Sequence, residues 1–512
     1  MRLDLDALPD DPALLQRLVR ELVTDMERRD GEIEKLRLIV KQLQRNQFGR
    51  RSEKLDQDQL ALGLEDLDAD IGRAEARHQP PPAEETEAAR EKSGPRRGLP
   101  EHLPRRDVMH DVDRTACPGC GWALHAIGET VSEMLDWVPA SLRVLRIRRP
   151  KYGCRKCGNI QQAPAPERAI ARGLATHNLL SQVLVAKYCD HTPLYRQSQI
   201  FARHGVAIDR STLAGWVGGA CWWLEALQER LAAHVFASTK LFADDTPVPV
   251  LDPGRGRTKT GRLWVYVRDD RPWDGADPPV ALYLFSPDRK GERPAGHLER
   301  FRGTLQVDGY AGFERLADGG RVTLAACWAH TRRKFYELAE ATGSPIATEA
   351  LARIAALYRI EADIRGQSAD ERRATRQTRS HPLIAAMKPW LERELARIPG
   401  RGKLAEAIRY ALSRWTALSL FLDDGRVELD TNPVERAIRP VTLGRKNHLF
   451  AGSDGGGARW ATVCSLIETA KLNGVEPYAY LGDVLRRMVD GHPASRLDEL
   501  LPWNWAAVDV NT

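Results

Sequence analysis

The run LFADDTPVPVL, residues 241–251, places two adjacent carboxylates inside a segment that otherwise has the apolar character of a buried strand. Burying an ionised acid costs several kcal/mol unless a partner of opposite charge or a metal ion compensates it. A chain with this run must therefore fold so that Asp244 and Asp245 meet such a partner. Further acids that share a divalent cation with them are one solution.

Two other acids occupy suitable positions. Asp308 ends an apolar strand-like run, and Glu435 falls in the first turn of a predicted helix with Asn432 as N-cap and Pro433 as first residue. Both have a simpler interpretation, because strand-end Asp often forms turns and a first-turn Glu favours the helix dipole. Asp244, Asp308 and Glu435 lie far apart along the chain, so only folding can unite them.

From residue 239 the pattern predicts a mixed α/β sheet with a crossover helix near ERPAGHLERF. The predicted strands are KLFADD, GRLWVYVRD (261–269), PVALYLFS (279–286), GTLQVDG (303–309) and VTLAACWA (322–329). A helix is predicted to follow from His330. Helical spacing then predicts an all-helical block from about 345 to 425 and a final helical segment from about 460 to 495.

The N-terminal part of the chain differs in character. Residues 12–47 have apolar heptad spacing, which predicts either a short dimerisation coiled coil or an amphipathic helix packed on its own chain. Residues 66–100 are rich in charge, Pro and Gly without apolar periodicity, and this composition predicts a flexible linker.

Four of the eight cysteines form two Cys-x-x-Cys pairs, Cys117 with Cys120 and Cys154 with Cys157. Each pair can offer two thiolates to one tetrahedral ion, and the segment between the pairs is long enough to fold into short strands. The chain shows no export signal, which favours metal over disulfides. We therefore expect a structural zinc site.

Residues 177–217 are predicted to be helical, with a Gly turn between two helices in PLYRQSQIFARHGVAIDRSTLAGWV. One interpretation is a helix-turn-helix that aims Arg210, Ser211 and Thr212 at DNA, its second helix capped by Asp209 or Ser211. A purely structural helical hairpin remains the alternative.

The formal net charge is only +6, but the cations are clustered. Local clusters of this kind are typical of proteins that contact a phosphate backbone, although a basic cluster is by default a solvated face. The candidate DNA-binding residues are Arg146, Arg148, Arg149, Lys151, Arg210, Arg332, Arg333, Lys334, Arg436, Arg439, Arg445 and Lys446.

Length and composition set broad limits. At 512 residues, with 42% apolar and 29% charged residues, the chain has the composition of a soluble protein of three or four domains. It has no uncharged apolar run long enough to cross a bilayer, and its first residues lack the basic and apolar regions of a signal peptide. We expect a cytoplasmic protein without membrane contact.

In the residues and the order of several motifs, the chain resembles the transposases of the insertion-sequence-sixty-six family over almost its whole length. The motifs that carry the resemblance are QFGRRSEKL, CPGC, DWVPASLRVLRIRRPKYGCRKCG, ADDTPVPVL, VDGYAGF, CWAHTRRKF, NPVERAIRPVTLGRKNHLFAGSDGGG and LPWNW. The resemblance implies a ribonuclease-H-like domain of the Asp-Asp-Glu class, whose acids map onto Asp244, Asp308 and Glu435. Where the family commonly has Asp-Glu-Thr, this chain has Asp245 in the middle position.

The implied activity is that of a transposase that cleaves the ends of an insertion sequence and joins their 3′-hydroxyls to target DNA. Two Mg²⁺ (or Mn²⁺) ions would clamp the reacting oxygens. Our hypothesis makes Asp244 the bridging ligand, with Asp308 and Glu435 each completing one ion's shell. Asp245 and His330 are expected to act from just outside the ligands. His330 also shares a Cys-x-x-His spacing with Cys327, which by itself is weak evidence for a metal, and it is as readily a core or capping residue.

The expected partners are double-stranded DNA (transposon ends and target), a second copy of the chain in a homodimer or higher oligomer, and accessory proteins of the same element. The fold class is multidomain α+β: a coiled-coil helix, a four-cysteine zinc ribbon, a helical DNA-binding region and a ribonuclease-H-like catalytic domain with a helical insertion. The expected regions are 1–65 (coiled coil), 66–100 (linker), 101–165 (zinc), 166–237 (helical, DNA-binding), 238–475 (catalytic, insertion at about 345–425) and 476–512 (helical tail).

Two rivals stay open. A non-catalytic, zinc-containing DNA-binding regulator or accessory protein would explain the cysteines and basic clusters but not three acids at strand and helix ends. A nuclease of the same fold that never joins strands would explain the acids equally well.

Overall fold

The computed structural model describes residues 165–506, apart from 172 and 253, and scattered positions between 142 and 162. Contacts divide the chain into one unit of residues 1–79 and 151–512 and a second of residues 80–150. In the second unit five positions between 142 and 148 are described, and all are exposed. The predicted coiled coil, the linker and the four cysteines of the zinc site lie outside the described residues.

The strands are β1 (Lys151–Gly153), β2 (Ile160–Gln162), β3 (Lys240–Asp252), β4 (Arg257–Arg268), β5 (Val280–Ser286), β6 (Gly303–Val307) and β7 (Val322–Ala326). The α-helices are α1 (His177–Tyr188), α2 (Leu194–Arg203), α3 (Arg210–Phe236), α4 (Glu292–His297), α5 (Ala311–Ala317), α6 (Trp328–Thr342), α7 (Pro345–Asp363), α8 (Ala369–Thr375), α9 (His381–Arg397), α10 (Lys403–Ser413), α11 (Trp415–Ser419), α12 (Asn432–His448), α13 (Asp454–Leu472) and α14 (Pro477–Val489). A π-helical turn, Arg376–Ser380, joins α8 to α9.

The predicted mixed sheet is confirmed. Five strands lie in the order β5-β4-β3-β6-β7, while β1 and β2 form a separate antiparallel pair. The strands β3, β4 and β5 are antiparallel neighbours, whereas β6 and β7 run parallel to β3. The parallel half requires crossover connections, which α4 and α5 help to provide.

β3 continues well beyond the predicted run KLFADD, through two prolines to Asp252. Proline cannot donate a backbone hydrogen bond, so it is tolerated only where no sheet partner needs its N–H. β6 pairs with β3 only as far as Phe242, so the part of β3 that contains the prolines has no β6 partner on that side. There the Pro249 carbonyl accepts a hydrogen bond from the Ala451 N–H at 2.8 Å.

The outer edge of β5 is covered by α13. The Ser465 hydroxyl accepts from the Tyr283 N–H at 2.9 Å, and the Thr469 hydroxyl accepts from the Ala281 N–H at 3.3 Å. One helical turn of four residues rises about 6 Å and two strand residues about 6.7 Å, so hydroxyls four apart match alternate strand residues. A helix therefore satisfies backbone groups that an edge strand normally exposes.

The predicted all-helical block is also confirmed. Helices α7 to α11 lie between β7 and α12 in sequence and, together with α6, build their own apolar core. Arg376, fully buried, donates to the two Glu361 carboxylate oxygens at 2.7 and 2.6 Å and to the carbonyls of Phe421 and Asp424. Arg372 donates to the same Glu361 at 3.3 Å. This buried network ties the turn between α8 and α9 to α7 and to the segment after α11.

Several boundaries differ from the predicted ones. The strand predicted at 322–329 ends at Ala326, and α6 begins at Trp328, because the Trp328 N–H bonds to the Leu429 carbonyl and its indole bonds to the Leu418 carbonyl. Helix α5 was not predicted, and α3 extends to Phe236. Among the described residues, no helix combines the length and apolarity needed to traverse a lipid bilayer.

Candidate active site

The register of the sheet brings Asp244 and Asp308 to neighbouring positions. β3 and β6 pair in parallel, with Lys240 opposite Thr304 and Phe242 opposite Gln306. Continuing this register along both strands sets Asp244 opposite Asp308. Adjacent strands are about 4.8 Å apart, which is close enough for two carboxylates to share a ligand.

Asp308 follows the last residue of β6 and starts a tight turn. Its Oδ1 accepts a hydrogen bond from the Tyr310 N–H at 2.9 Å, and Gly309 adopts φ +99°. A Cβ at Gly309 would lie 2.8 Å from the flexible Arg414 side chain, which can shift, so it is the left-handed conformation that requires glycine. Asp308 is thus a turn former, as the simpler interpretation proposed, and its second carboxylate oxygen is still available to a ligand.

Glu435 lies in the first turn of α12 and is buried, with 8% of its surface exposed. The helix begins one residue earlier than predicted, with Thr431 rather than Asn432 as N-cap, and no side chain caps it. The Glu435 carboxylate instead accepts a hydrogen bond from the Thr431 hydroxyl at 2.7 Å. The first-turn position of Glu435 agrees with the helix-dipole interpretation, and the helix start also fixes the direction of the carboxylate.

The electrostatics of Asp244 show that these acids form one cluster. Burial raises the pKa of Asp244 well above its ordinary value, and the carboxylates of Asp308, Asp245 and Glu435 raise it further, against a hydrogen bond from the Asp245 N–H. Like charges gathered in a poorly solvated site destabilise one another unless a cation joins them. A donor set made only of carboxylate oxygens suits Mg²⁺ or Mn²⁺, so the residues present fit the expected metal.

Asp245 has a different partner from its neighbour. Its side chain is inaccessible to solvent and accepts hydrogen bonds from Arg262 at 2.9 Å and from Arg289 at 3.0 and 2.9 Å. The Arg289 guanidinium also lies over the Tyr310 ring, 4.1 Å from its centroid. The compensation that the sequence demanded for Asp245 is thus supplied by two arginines, which link β3, β4 and the turn after Asp308.

We predict that Asp245→Asn lowers the free energy of unfolding by about 1 kcal/mol, because the amide cannot accept hydrogen bonds from both arginines. The loss is smaller than for a solvated charge pair, since burial raises the pKa of Asp245 despite Arg289 and Arg262 and so already opposes its charge. Denaturant titration at pH 7 measures the change. Asp288→Asn is the matched control: Asp288 accepts from Arg293 at 3.1 Å, but at the surface, and no measurable loss is expected there. Equal stability of Asp245→Asn and the wild-type chain would contradict the prediction.

His330 lies in the first turn of α6 rather than at a strand end, half-buried, with Nδ1 3.9 Å from the Glu435 carboxylate. It therefore touches the acidic cluster, as its predicted supporting role requires.

Thr431 was missed by sequence reasoning, although it lies one helical turn before Glu435 and orients it. A Thr immediately before Asn-Pro at a helix start was the available signal.

The helical block adds residues that sequence reasoning could not have found. The Tyr410 hydroxyl donates to the Asp308 carbonyl at 3.1 Å, and Arg414 lies over the Tyr410 ring at 4.3 Å. Lys334 of α6 lies over the same ring at 4.6 Å and is exposed. A cation–aromatic cluster from a distant part of the sequence therefore adjoins the strand end that carries Asp308.

The predicted DNA-binding residues divide by exposure. Lys334, Arg436 and Lys446 are exposed on α6 and α12, and Arg333 and Arg439 are partly exposed. Arg332 and Arg445 do not fit the expectation of a phosphate-contacting surface, because both are buried. Arg445 donates to the Pro247 carbonyl at 2.6 Å and thereby fastens α12 to β3.

The helical hairpin has an exposed start and a buried body. Arg210, Ser211 and Thr212 are exposed at the beginning of α3, and Gly205 turns the chain with φ +79°. The Asp209 side chain makes no cap hydrogen bond, contrary to the expected capping. Most of α3 packs into the main core.

Of the predicted DNA-binding residues between 146 and 151, Arg148 is exposed, and the side chains of Arg146, Arg149 and Lys151 lie outside the described residues.

Similar proteins cover nearly the whole chain. The uncharacterized protein y4jD of Sinorhizobium fredii is 44% identical over 96% of this chain and 98% of its own length. The uncharacterized proteins y4qI and y4hP of the same organism are each 42% identical, over 92% and 93% of this chain and 89% and 90% of their own lengths.

Four family models match successive regions. Residues 35–108 match the model described as transposase C of IS166 homeodomain, a leucine-zipper model, and residues 114–158 match the zinc-finger binding domain of transposase IS66. The zinc-finger match spans all four paired cysteines. Residues 465–503 match the IS66 C-terminal element. Residues 172–459, more than half of the chain and including all three acids, match the Asp-Asp-Glu domain model described as transposase IS66 family, and the chain belongs to that family.

Proposed function

We propose that this protein is a DNA transposase that cleaves the ends of an insertion sequence and joins the resulting 3′-hydroxyls to target DNA. The observation that carries the proposal is the cluster of Asp244, Asp308 and Glu435 where β6 ends beside the central strand β3; burial and mutual repulsion raise the pKa of Asp244 there. The strand order, with three antiparallel strands followed by two parallel ones, is consistent with a ribonuclease-H-like domain.

In this proposal the three acids hold divalent cations. When bound there, such ions supply Lewis-acid stabilisation to the attacking and leaving oxygens of a phosphodiester. Thr431 orients Glu435 through its hydroxyl, and the N–H groups of Asp245 and Tyr310 orient Asp244 and Asp308. Arg262 and Arg289 pair with Asp245 and so reduce its electrostatic repulsion of the three acids.

DNA would approach along exposed cations that flank the acids. Arg436 follows Glu435 directly, Lys446 lies about three turns further along the same helix, and Lys334 lies about one turn from His330 on α6. Lysine and arginine contacts to phosphate position a duplex without reading its sequence. Sequence recognition of the ends is assigned to the zinc-finger region and to the exposed start of α3. Pairing of protomers is assigned to the leucine-zipper region.

The assay that tests the proposal incubates the full chain with labelled duplexes of the terminal repeats that flank its gene, target plasmid and Mg²⁺. We expect metal-dependent release of 3′-hydroxyl ends and covalent joining to the plasmid. Binding without cleavage would favour the non-catalytic regulator. Cleavage without joining would favour the nuclease. End binding that did not weaken steeply with salt would count against phosphate contacts.

The proposal also predicts how metal and pH act on stability. The raised pKa of Asp244 means that the folded chain keeps this proton to a higher pH than the unfolded chain, whose value is the ordinary 3.8. Stability is therefore lost as pH rises above 3.8 and through the folded-state pKa. At pH 7 without divalent ions, Asp244→Asn should raise the melting temperature, and Mg²⁺ should stabilise wild type but not this variant.

Differential scanning calorimetry with and without Mg²⁺ measures both effects. Asp252→Asn is the matched control on the same strand, where Asp252 contacts Arg255 at 3.5 Å near the surface. This variant should respond to Mg²⁺ like the wild-type chain. A Mg²⁺-dependent increase of equal size in Asp244→Asn would remove Asp244 from the metal ligands.

A further inference from the structure

A second set of metal-binding groups lies beside the three acids. One ligand atom each of Cys327, His330 and Glu435 lies within 4.8 Å of the others. Cys327 follows β7 and is the N-cap residue of α6, His330 is in the first turn of α6, and Glu435 is in the first turn of α12. The Cys-x-x-His spacing alone was weak evidence, and the fold adds a third ligand from a helix much further along the chain.

Contacts with Thr431 show that two of these groups converge on one point. The Thr431 Oγ1 is 2.7 Å from the Glu435 carboxylate and 3.3 Å from Cys327 Sγ, and the Thr431 N–H donates to the same sulfur at 3.4 Å. The hydroxyl has one proton, which goes to the closer carboxylate. The same hydroxyl oxygen lies against the Cys327 sulfur, so Cys327 and Glu435 meet at a single oxygen atom.

Cys327, His330 and Glu435 favour a different metal from the one that suits the three acids. Sulfur and imidazole with one carboxylate favour Zn²⁺ or Co²⁺, whereas Mg²⁺ prefers oxygen alone. A tetrahedral zinc separates its ligand atoms by about 3.5 Å, so a contraction of about 1 Å would close the set and leave a fourth position for water. Cys327 is buried, while 23% of the His330 side chain is exposed and offers an entry side.

We propose that Cys327, His330 and Glu435 form a binding site for Zn²⁺ or a similar transition-metal ion, distinct from the four-cysteine site. Binding replaces the thiol proton of Cys327 by the metal–sulfur bond and releases that proton to solvent. Glu435 belongs to both this set and the three acids. Zn²⁺ bound here therefore competes with Mg²⁺-dependent DNA cleavage, a consequence that rests on the proposed function, whereas metal binding itself does not.

The test measures Co²⁺ binding to the full chain. Equilibrium dialysis counts the bound equivalents, and the thiolate-to-cobalt charge-transfer absorption reports ligation by cysteine. The four-cysteine region contributes equally in every variant, so the comparison is between variants. Wild type should bind one equivalent more than Cys327→Ser, and the corresponding absorption should disappear in that variant. Cys464→Ser removes an equally buried cysteine on α13 and should behave like wild type.

His330→Gln provides a second variant that keeps the sulfur and changes a half-buried surface group. Its affinity for the additional cobalt should fall by at least about tenfold. Losing a residue that only hydrogen-bonds to a metal ligand already costs that much, and His330 would be a ligand itself. The proposal is overturned if Cys327→Ser and His330→Gln, with wild-type circular dichroism, bind the same number of equivalents as wild type with the same spectrum. If Cys327→Ser does not fold, His330→Gln decides. Loss of cobalt binding with intact DNA cleavage, or the reverse, separates this site from the proposed function.

Discussion

Replacing Asp244 or Asp308 by Asn, or Glu435 by Gln, is expected to lower the rates of end cleavage and strand joining by about 1,000-fold or more, because residues that act as a unit lose most of the rate enhancement when any one member is removed. These changes keep side-chain volume while removing the charge that holds a divalent cation. Rates on labelled end DNA, measured under single-turnover conditions with saturating protein, report the chemical step.

Binding and reaction should separate in these variants. We expect end-DNA affinity within a few-fold of the wild-type value, since phosphate contacts come from other residues. Asp454→Asn is a suitable control, because Asp454 pairs with Lys259 at 2.8 Å on the surface, at the start of α13. It should cleave at the wild-type rate. Retained cleavage in any one of the three active-site variants would remove that residue from the reaction.

The largest effect on stability is expected at Arg376. Arg376→Met leaves Glu361, whose side chain is only 11% exposed, with only Arg372 to compensate it, and frees the carbonyls of Phe421 and Asp424. Removing one partner of a buried ion pair costs about 3–5 kcal/mol, since the remaining charge keeps its desolvation penalty. Denaturant unfolding, followed by the fluorescence of the tryptophans in the helical block, measures the loss.

The control lies three residues away in the same turn. Arg379 in the same π-helical turn pairs with Asp363 at 2.7 Å, but both side chains are about half exposed. Exposed pairs contribute about 0–1 kcal/mol, so Arg379→Met should be nearly neutral. If both variants lost the same amount of stability, helix propensity in this turn, rather than the buried pair, would be the cause.

The sequence predicted element types well in this chain and element ends poorly. Alternating and continuous apolar runs identified all five strands of the main sheet, and helical spacing identified the block after Pro345. The strand that was predicted to reach Ala329 stops at Ala326, because Trp328 bonds to the distant carbonyls of Leu418 and Leu429. No local pattern contains information about such partners.

The candidate site was predictable in its residue types and not in its surroundings. Acids within an apolar run, at a strand end and at a helix start marked Asp244, Asp308 and Glu435. The register that brings the first two together depends on how β3 and β6 pair, which the sequence does not specify. Clustered basic residues likewise looked equivalent in the sequence, yet folding buries Arg445 and exposes Lys446. Tyr410 and Arg414 carried no signal because their role depends on the docking of the helical block.

The helix that covers β5 limits how this protein can assemble. A strand whose outer N–H and C=O groups are free can recruit an extended segment of another polypeptide. Here Ser465 and Thr469 occupy the outer donors of Ala281 and Tyr283, and the Gln228 side chain donates to the Tyr283 carbonyl at 2.8 Å. A second polypeptide therefore cannot extend this sheet by pairing a strand with the outer edge of β5.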